Sequence, residues 1–220
     1  MVYYGRRLNI RFSSYAYREV SALKRISALL FVLCLVFTLT ACSGQSKSAA
    51  LIGGPDSKIL VAYFSCTGNT GKVAEHIADI LNGNLYEIVP EVPYTSAELE
   101  ADNSSGRIAE EQYDEAARPA ISVPVENMED YDIVFLGYPI WWGDAPKIIC
   151  TFLESYDFAN KTIIPFCTSS RTGMGSSATD LHRYVPSSTH WLDGMRFPSS
   201  AARRAVVEWI NELPLGVNKD

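Results

Sequence analysis

The stretch Lys58–Thr70, KILVAYFSCTGNT, governs how the rest of the chain is read. Its apolar run Ile59–Phe64 has the length and composition of a buried strand, and it ends in a loop of small polar residues: Ser65, Thr67, Gly68, Asn69 and Thr70. An amphipathic segment follows at once, with Val73, Ala74, Ile77, Ala78 and Leu81 on one helical face, Thr70 as its N-cap and Gly83 as its stop. A helix N-terminus offers unpaired N–H groups and a partial positive charge, so it can hold a phosphate without a basic side chain. The hydroxyls of Ser65, Thr67 and Thr70 add donors, and Gly68 lets the backbone come close or take a positive φ. A nucleotide-triphosphate loop does not fit. It needs four residues between its first glycine and its Gly-Lys pair, and only two separate Gly68 from Gly71-Lys72. A plain strand–turn–helix junction uses the same residue types, so the rest of the chain decides.

Upstream, Lys24-Arg25 precedes the twelve-residue apolar run Ile26–Phe37, and Leu39-Thr40-Ala41-Cys42 comes next. The run suits a signal-peptide core and is short for a membrane span. The four residues resemble the lipobox of bacterial lipoproteins, which implies cleavage after Ala41 and a lipid on Cys42. Residues 1–42 are therefore expected to be a signal peptide with a lipobox. The implied address is the extracytoplasmic face of a bacterial cell membrane, held by the N-terminal lipid. Residues 1–19 fit a signal poorly, and initiation at Val20 would explain them. Residues 43–57 are small, polar and Gly-rich and read as a flexible tether. One domain is expected over 58–213.

The chain holds 19 basic and 25 acidic residues; six and one of these lie in 1–42, which leaves 13 against 24 and a net charge of −11 beyond Cys42. Thirteen acids fall between Glu87 and Asp132, against Arg107 and Arg118 alone. Nucleic acid is excluded as a partner on this balance; most of these carboxylates read as a solvated acidic surface, and the functional alternative is a docking face for a basic redox partner. Cys66, Cys150 and Cys167 are an odd number for a disulfide framework, and His76, His182 and His190 have no metal-ligand spacing.

The order of elements comes next. Leu85–Ile88, Asp132–Tyr138, Thr162–Cys167 and His190–Leu192 read as further strands. Helices are expected around 105–117, from a cap at Asp144 through Ser155, over Ser176–Tyr184, and from a cap at Ser200. Pro90–Asp130 carries little pattern. Alternating strands and helices make an α/β fold with a parallel sheet and helices on both faces. Ligands of such sheets sit beyond the strand carboxyl ends, where three loops lie here: Ser65–Thr70, Pro139–Ala145 and Thr168–Gly175. The second holds Trp141-Trp142, with one ring expected in the core and the other at the ligand. A phosphate loop with an aromatic platform describes a flat ring on a phosphorylated tail.

Ser65-Cys-Thr-Gly-Asn-Thr70, Gly137-Tyr-Pro-Ile-Trp-Trp-Gly143 and Pro165-Phe-Cys-Thr-Ser169 resemble the three cofactor loops of the flavodoxin family, and of its exported, lipobox-bearing branch in particular. That resemblance implies a flavodoxin-like, doubly wound, five-stranded parallel sheet of order 2-1-3-4-5 that binds FMN. It implies that Ser65, Thr67, Gly68, Asn69 and Thr70 hold the phosphate. It puts Pro139, Ile140, Trp141, Trp142 and Gly143 along one side of the isoalloxazine, and Thr168, Ser169, Gly173 and Gly175 along the other. With that order a strand lies between Cys66 and Cys167, about 9–10 Å of sheet. A disulfide needs Cα atoms within about 7 Å, so both thiols are expected to stay reduced.

Gly173-Met-Gly-Ser-Ser-Ala178 also fits a dinucleotide fingerprint, but Thr168–Thr172 separate it from the strand end where that fingerprint starts. Two activities compete within the flavin reading. One is an FMN electron carrier between partner proteins; the other is a nicotinamide-dependent flavin or quinone reductase. The absence of a second nucleotide motif favours the carrier. A domain that has lost its flavin is disfavoured by the intact Trp-Trp loop.

Overall fold

Five strand positions lie side by side in one parallel sheet, whose three central apolar runs are covered on both faces while its edge strands stay largely exposed. The computed structural model describes residues 51–100 and 105–219. The expected signal peptide, Cys42 and most of the tether lie outside those residues. Among the described residues no helix is long and apolar enough to cross a membrane.

The elements are β1 (Ile59–Tyr63), α1 (Asn69–Leu81), β2 (Asn84–Glu87), α2 (Arg107–Tyr113), β3 (Ile133–Pro139), α3 (Lys147–Glu154), β4 (Thr162–Thr168), α4 (Ser177–Asp180), β5 (His190–Trp191), β6 (Met195–Phe197) and α5 (Arg203–Glu212). The sheet order is β2-β1-β3-β4-β5, with β6 also paired to β4. This is the expected 2-1-3-4-5 order. Its fifth position is filled by two short pieces.

That break has a local cause. Leu192 N–H still reaches Ile163 O, so the odd residues of β4 turn their backbone groups toward this edge. Pro165 is the next such residue and has no N–H to give. The edge chain steps aside at Leu192–Gly194, and a Cβ on Gly194 would lie 2.6 Å from Pro165 O. The expected strand His190–Leu192 therefore stops at Trp191, and β6 resumes beyond the proline.

Alternation along the strands divides the core. Ile59, Val61 and Tyr63 of β1 join Phe135, Ile164 and Phe166 against α1 and α5, where Trp209 and Ile210 are buried. Leu60, Ala62 and Phe64 join Val134, Leu136, Tyr138 and Cys167 against α3 and Leu181. Each fully buried Ile, Leu or Phe contributes roughly 1.5–3 kcal/mol. Gly137 fits the sheet only as glycine, since a Cβ there would meet the Phe166 ring at 2.2 Å.

Several boundaries differ from the sequence reading. The cap of α1 is Gly68, not Thr70, because φ of +77° at Gly68 turns the chain into the helix two residues earlier. Asn82, at φ +48°, closes that helix ahead of Gly83. Asp144 spends its Oδ1 on Ala145 N–H at 2.7 Å, and α3 starts after Pro146. Ala202 rather than Ser200 precedes α5. Only Ser177–Asp180 of the helix expected over Ser176–Tyr184 is α-helical; Leu181–Tyr184 tightens to 3-10. The expected tether yields its last residues to the fold: Ile52 bonds to Pro214 O at 2.7 Å and to Gly216 N–H at 2.9 Å. Leu215 is buried beneath them, past the expected end at 213.

Pro90–Asp130 is an excursion closed at its neck. Glu91 N–H reaches Ala120 O and Ser122 N–H reaches Val89 O, both at 2.8 Å. Within it α2 buries Ile108 and Ala109.

Candidate functional site

The three loops expected to form a site converge at the carboxyl end of the sheet. Parallel register brings Pro139 opposite Thr168. Ile140 N–H continues the ladder to Thr168 O at 3.0 Å, and the Thr70 and Thr168 hydroxyls meet at 2.8 Å in a buried pair. One hydroxyl of such a pair donates to the other and keeps the partner's proton free to give onward. The first and third loops are thus tied through side chains 98 residues apart.

In the first loop, Ser65 Oγ is buried and has no hydrogen-bond partner among the described residues. An enclosed hydroxyl of this kind costs about 1–3 kcal/mol. Thr67 is exposed and accepts from Asn69 Nδ2 at 3.0 Å. Gly68 is exposed, and nothing lies within 4 Å of where its Cβ would be. The 13-residue α1 has no side-chain cap and no acidic residue in its first turn. An orphan hydroxyl, an uncapped helix start and an open glycine cradle fit a phosphate. Cys66 sits at the edge of this loop. Although its surface is exposed, the protein packed around the sulfur and the Glu87 carboxylate push its thiol up to about 11.

In the second loop, Trp141 and Asp144 exchange both backbone hydrogen bonds at 2.9 Å, closing a two-residue hairpin. Trp142 at φ +52° and Gly143 at φ +89° form its tip, the φ pattern of a type I′ turn. A tryptophan in the left-handed region is strained by roughly 1–2 kcal/mol. The hairpin separates the two rings. Trp141 turns inward and meets Phe64 and Tyr94 edge-on at 5.2 and 5.1 Å. Trp142 stays 48% exposed, beside Tyr113 at 5.9 Å.

The excursion 90–130 holds this hairpin. Gln112 Nε2 donates to Trp141 O and Ala145 O at 3.1 and 3.2 Å, bracing both arms. Arg107 lies 4.2 Å over the Tyr94 ring and bonds to Glu111, which also accepts from Tyr94 Oη at 2.6 Å. Burial and that bond to Glu111 push the Tyr94 phenol up, so it remains a donor.

In the third loop, Ser169 N–H reaches Phe197 O at 3.1 Å, and Ser169 Oγ accepts from Thr172 N–H at 3.1 Å. Arg196 donates to Ser169 O from the edge strand.

A cleft of about 450 Å³ opens between the second and third loops. Ile140, Trp141, Trp142 and Gly143 line one wall, Ser169 to Thr172 another, and Glu98, Leu99, Glu100 and Ile108 the third. Gly173 and Gly175, expected beside the ring, do not line it. Gly175 turns at φ +57° into a separate cleft beside Trp191 and Asp193, because the loop descends there to start α4. Sequence reasoning missed the third wall, the Tyr94, Arg107 and Gln112 bracing, and Arg196. Of the other unnamed lining residues, Ser170, Arg171 and Thr172 lay within the quoted loop Thr168–Gly175.

Known proteins share this fold. A family model described as flavodoxin matches residues 58–213. No curated protein sequence matches. Among solved structures, a candidate flavoprotein from Bacteroides eggerthii DSM 20697 is 42% identical, with a TM-score of 0.67 over 73% of this chain and 99% of that one. Another from Bacteroides uniformis ATCC 8492 is 38% identical, with a TM-score of 0.67 over 73% and 100%. A flavoprotein in complex with FMN from Lactobacillus acidophilus NCFM shares the fold at 21% identity, with a TM-score of 0.53 over 71% and 99%.

Proposed function

This chain belongs to the flavodoxin family, and from that membership we propose that it binds FMN at the three loops and carries electrons between partner proteins. The observation that carries the reading is Ser65 Oγ, a buried donor without a partner at the uncapped start of α1. Ser65, Thr67 and the N–H groups that follow Gly68 hold the phosphate. Trp142 and the hairpin around it flank the ring, and Ser169 to Thr172 meet its far edge. When bound, FMN supplies reversible electron transfer, and the protein contributes orientation, exclusion of water and local charge.

The partner is a basic redox protein. The segment Glu87–Asp132 contains thirteen acids, and both its arginines are already engaged, Arg107 by Glu111 and Arg118 by Glu154. The protein works at the outer face of a bacterial membrane, held by a lipid on Cys42. Support for that address is the Lys24-Arg25 pair, the apolar run and the lipobox-like Leu39–Cys42.

The test is the visible spectrum of the detergent-purified chain, followed by anaerobic NADH. A flavin spectrum that NADH does not bleach is expected of the carrier. Fast bleaching supports the reductase, and a colourless protein that takes up no FMN refutes both. Gly68→Val should abolish uptake, because a β-branched residue resists φ of +77° and would crowd the phosphate.

A further inference from the structure

Arg196 occupies an unusual position for a cation. It sits in β6, in register with Cys167 of β4. Its neighbours Met195 and Phe197 pack toward α1 and α5, so strand alternation turns Arg196 to the opposite face. Cys167, Tyr138, Trp141 and Met174 lie on that face, beneath the second and third loops. There Arg196 donates to Ser169 O, which fixes the start of the third loop. Its Nε is buried with no partner, and among the described residues no carboxylate pairs with it. The residue as a whole is only partly buried, but a donor enclosed without a partner is costly unless it is used. Its field reaches Cys167, where it opposes the upward push of burial on the thiol.

Resting on the FMN reading above, we infer that Arg196 is a positioning residue for the flavin. It clamps the third loop through the Ser169 carbonyl and keeps a positive charge, unpaired among the described residues, beneath the loop that would meet the ring. Two electrons and one proton added to oxidised flavin leave one negative charge on it. A fixed cation nearby favours that reduced form and offsets the acids of Glu87–Asp132. Arg196 thus sets the potential upward while the acidic surface sets it downward.

The test compares holoprotein of wild type, Arg196→Gln and Arg196→Lys by FMN titration and by dithionite reduction against reference dyes. Arg196→Gln should lower the preference for reduced over oxidised FMN about tenfold, a fall of about 30 mV for the two-electron couple. Arg196→Lys should keep the wild-type potential while binding oxidised FMN more weakly, since a single ammonium replaces the fork. If Arg196→Gln fails to fold, the Lys variant still decides. Potentials unchanged in Arg196→Gln, or lowered in Arg196→Lys as well, would overturn the inference and leave FMN binding standing. Wild type that binds no FMN would overturn the reading beneath it.

Discussion

Ser65→Ala should change two properties in opposite directions. The Ser65 hydroxyl is buried without a protein partner among the described residues, although the unfolded chain hydrates it fully. Deleting it removes a desolvation penalty of about 1–3 kcal/mol and leaves only a methyl-sized change. The ligand-free variant should therefore be more stable by about 1 kcal/mol, a rise in Tm of roughly 2–4 °C for a chain of this size. In the proposed complex with FMN the same hydroxyl would donate to a charged phosphate, an interaction of about 1.5–3 kcal/mol. At about 1.4 kcal/mol per decade, its loss should weaken FMN binding roughly 10- to 100-fold. Urea unfolding without FMN measures the first effect, and quenching of flavin fluorescence measures the second. A ligand-free variant less stable than wild type would mean that Ser65 is satisfied by the protein itself. Unchanged FMN affinity would move the phosphate away from α1.

Four other outcomes are expected. Gly137→Ala should cost about 2–3 kcal/mol in urea unfolding, because the added methyl meets the buried Phe166 ring, which has little room to turn. Cys66, with its thiol near 11, should react with iodoacetamide at pH 8 roughly 100-fold more slowly than an ordinary cysteine; equal rates would refute its enclosure. Glu154→Gln should cost less than about 1 kcal/mol at pH 7, since the pair with Arg118 is partly exposed. Arg118 holds the folded carboxyl below its unfolded value of about 4.3, so the benefit is present above that value and vanishes as pH falls through the lower one. An equal cost at pH 2.5 would assign it to packing. Cys42→Ser should abolish labelling by radioactive palmitate, and label on that variant would refute the tether.

What the sequence yields follows from what each residue needs. Ile59–Phe64, Ile133–Tyr138 and Thr162–Cys167 are readable because a strand covered on both faces must be apolar throughout. The caps are not readable, because Gly68 sets the start of α1 through its own φ and no side chain marks the spot. The broken edge depends on which way Pro165 faces, and only pairing settles that. The loops of the site were visible as motifs. Their support was not, since Tyr94 and Gln112 reach Trp141, and Arg107 backs Tyr94, from a segment without periodicity.

The interruption opposite Pro165 also bears on how copies of this protein meet. An exposed sheet edge is a template for another strand, and a long flat one invites aggregation. Here one edge offers four residues at β2 before the chain turns away at Pro90, where Ile121 covers it. The other offers two residues at β5 and three at β6, out of line with each other across Leu192–Gly194. A second copy finds no continuous ladder on either side. Tethering to a surface raises the effective concentration of neighbours, and colliding edges are then frequent. Under the tether proposed above, the proline that breaks the strand would keep such a crowded layer of molecules separate.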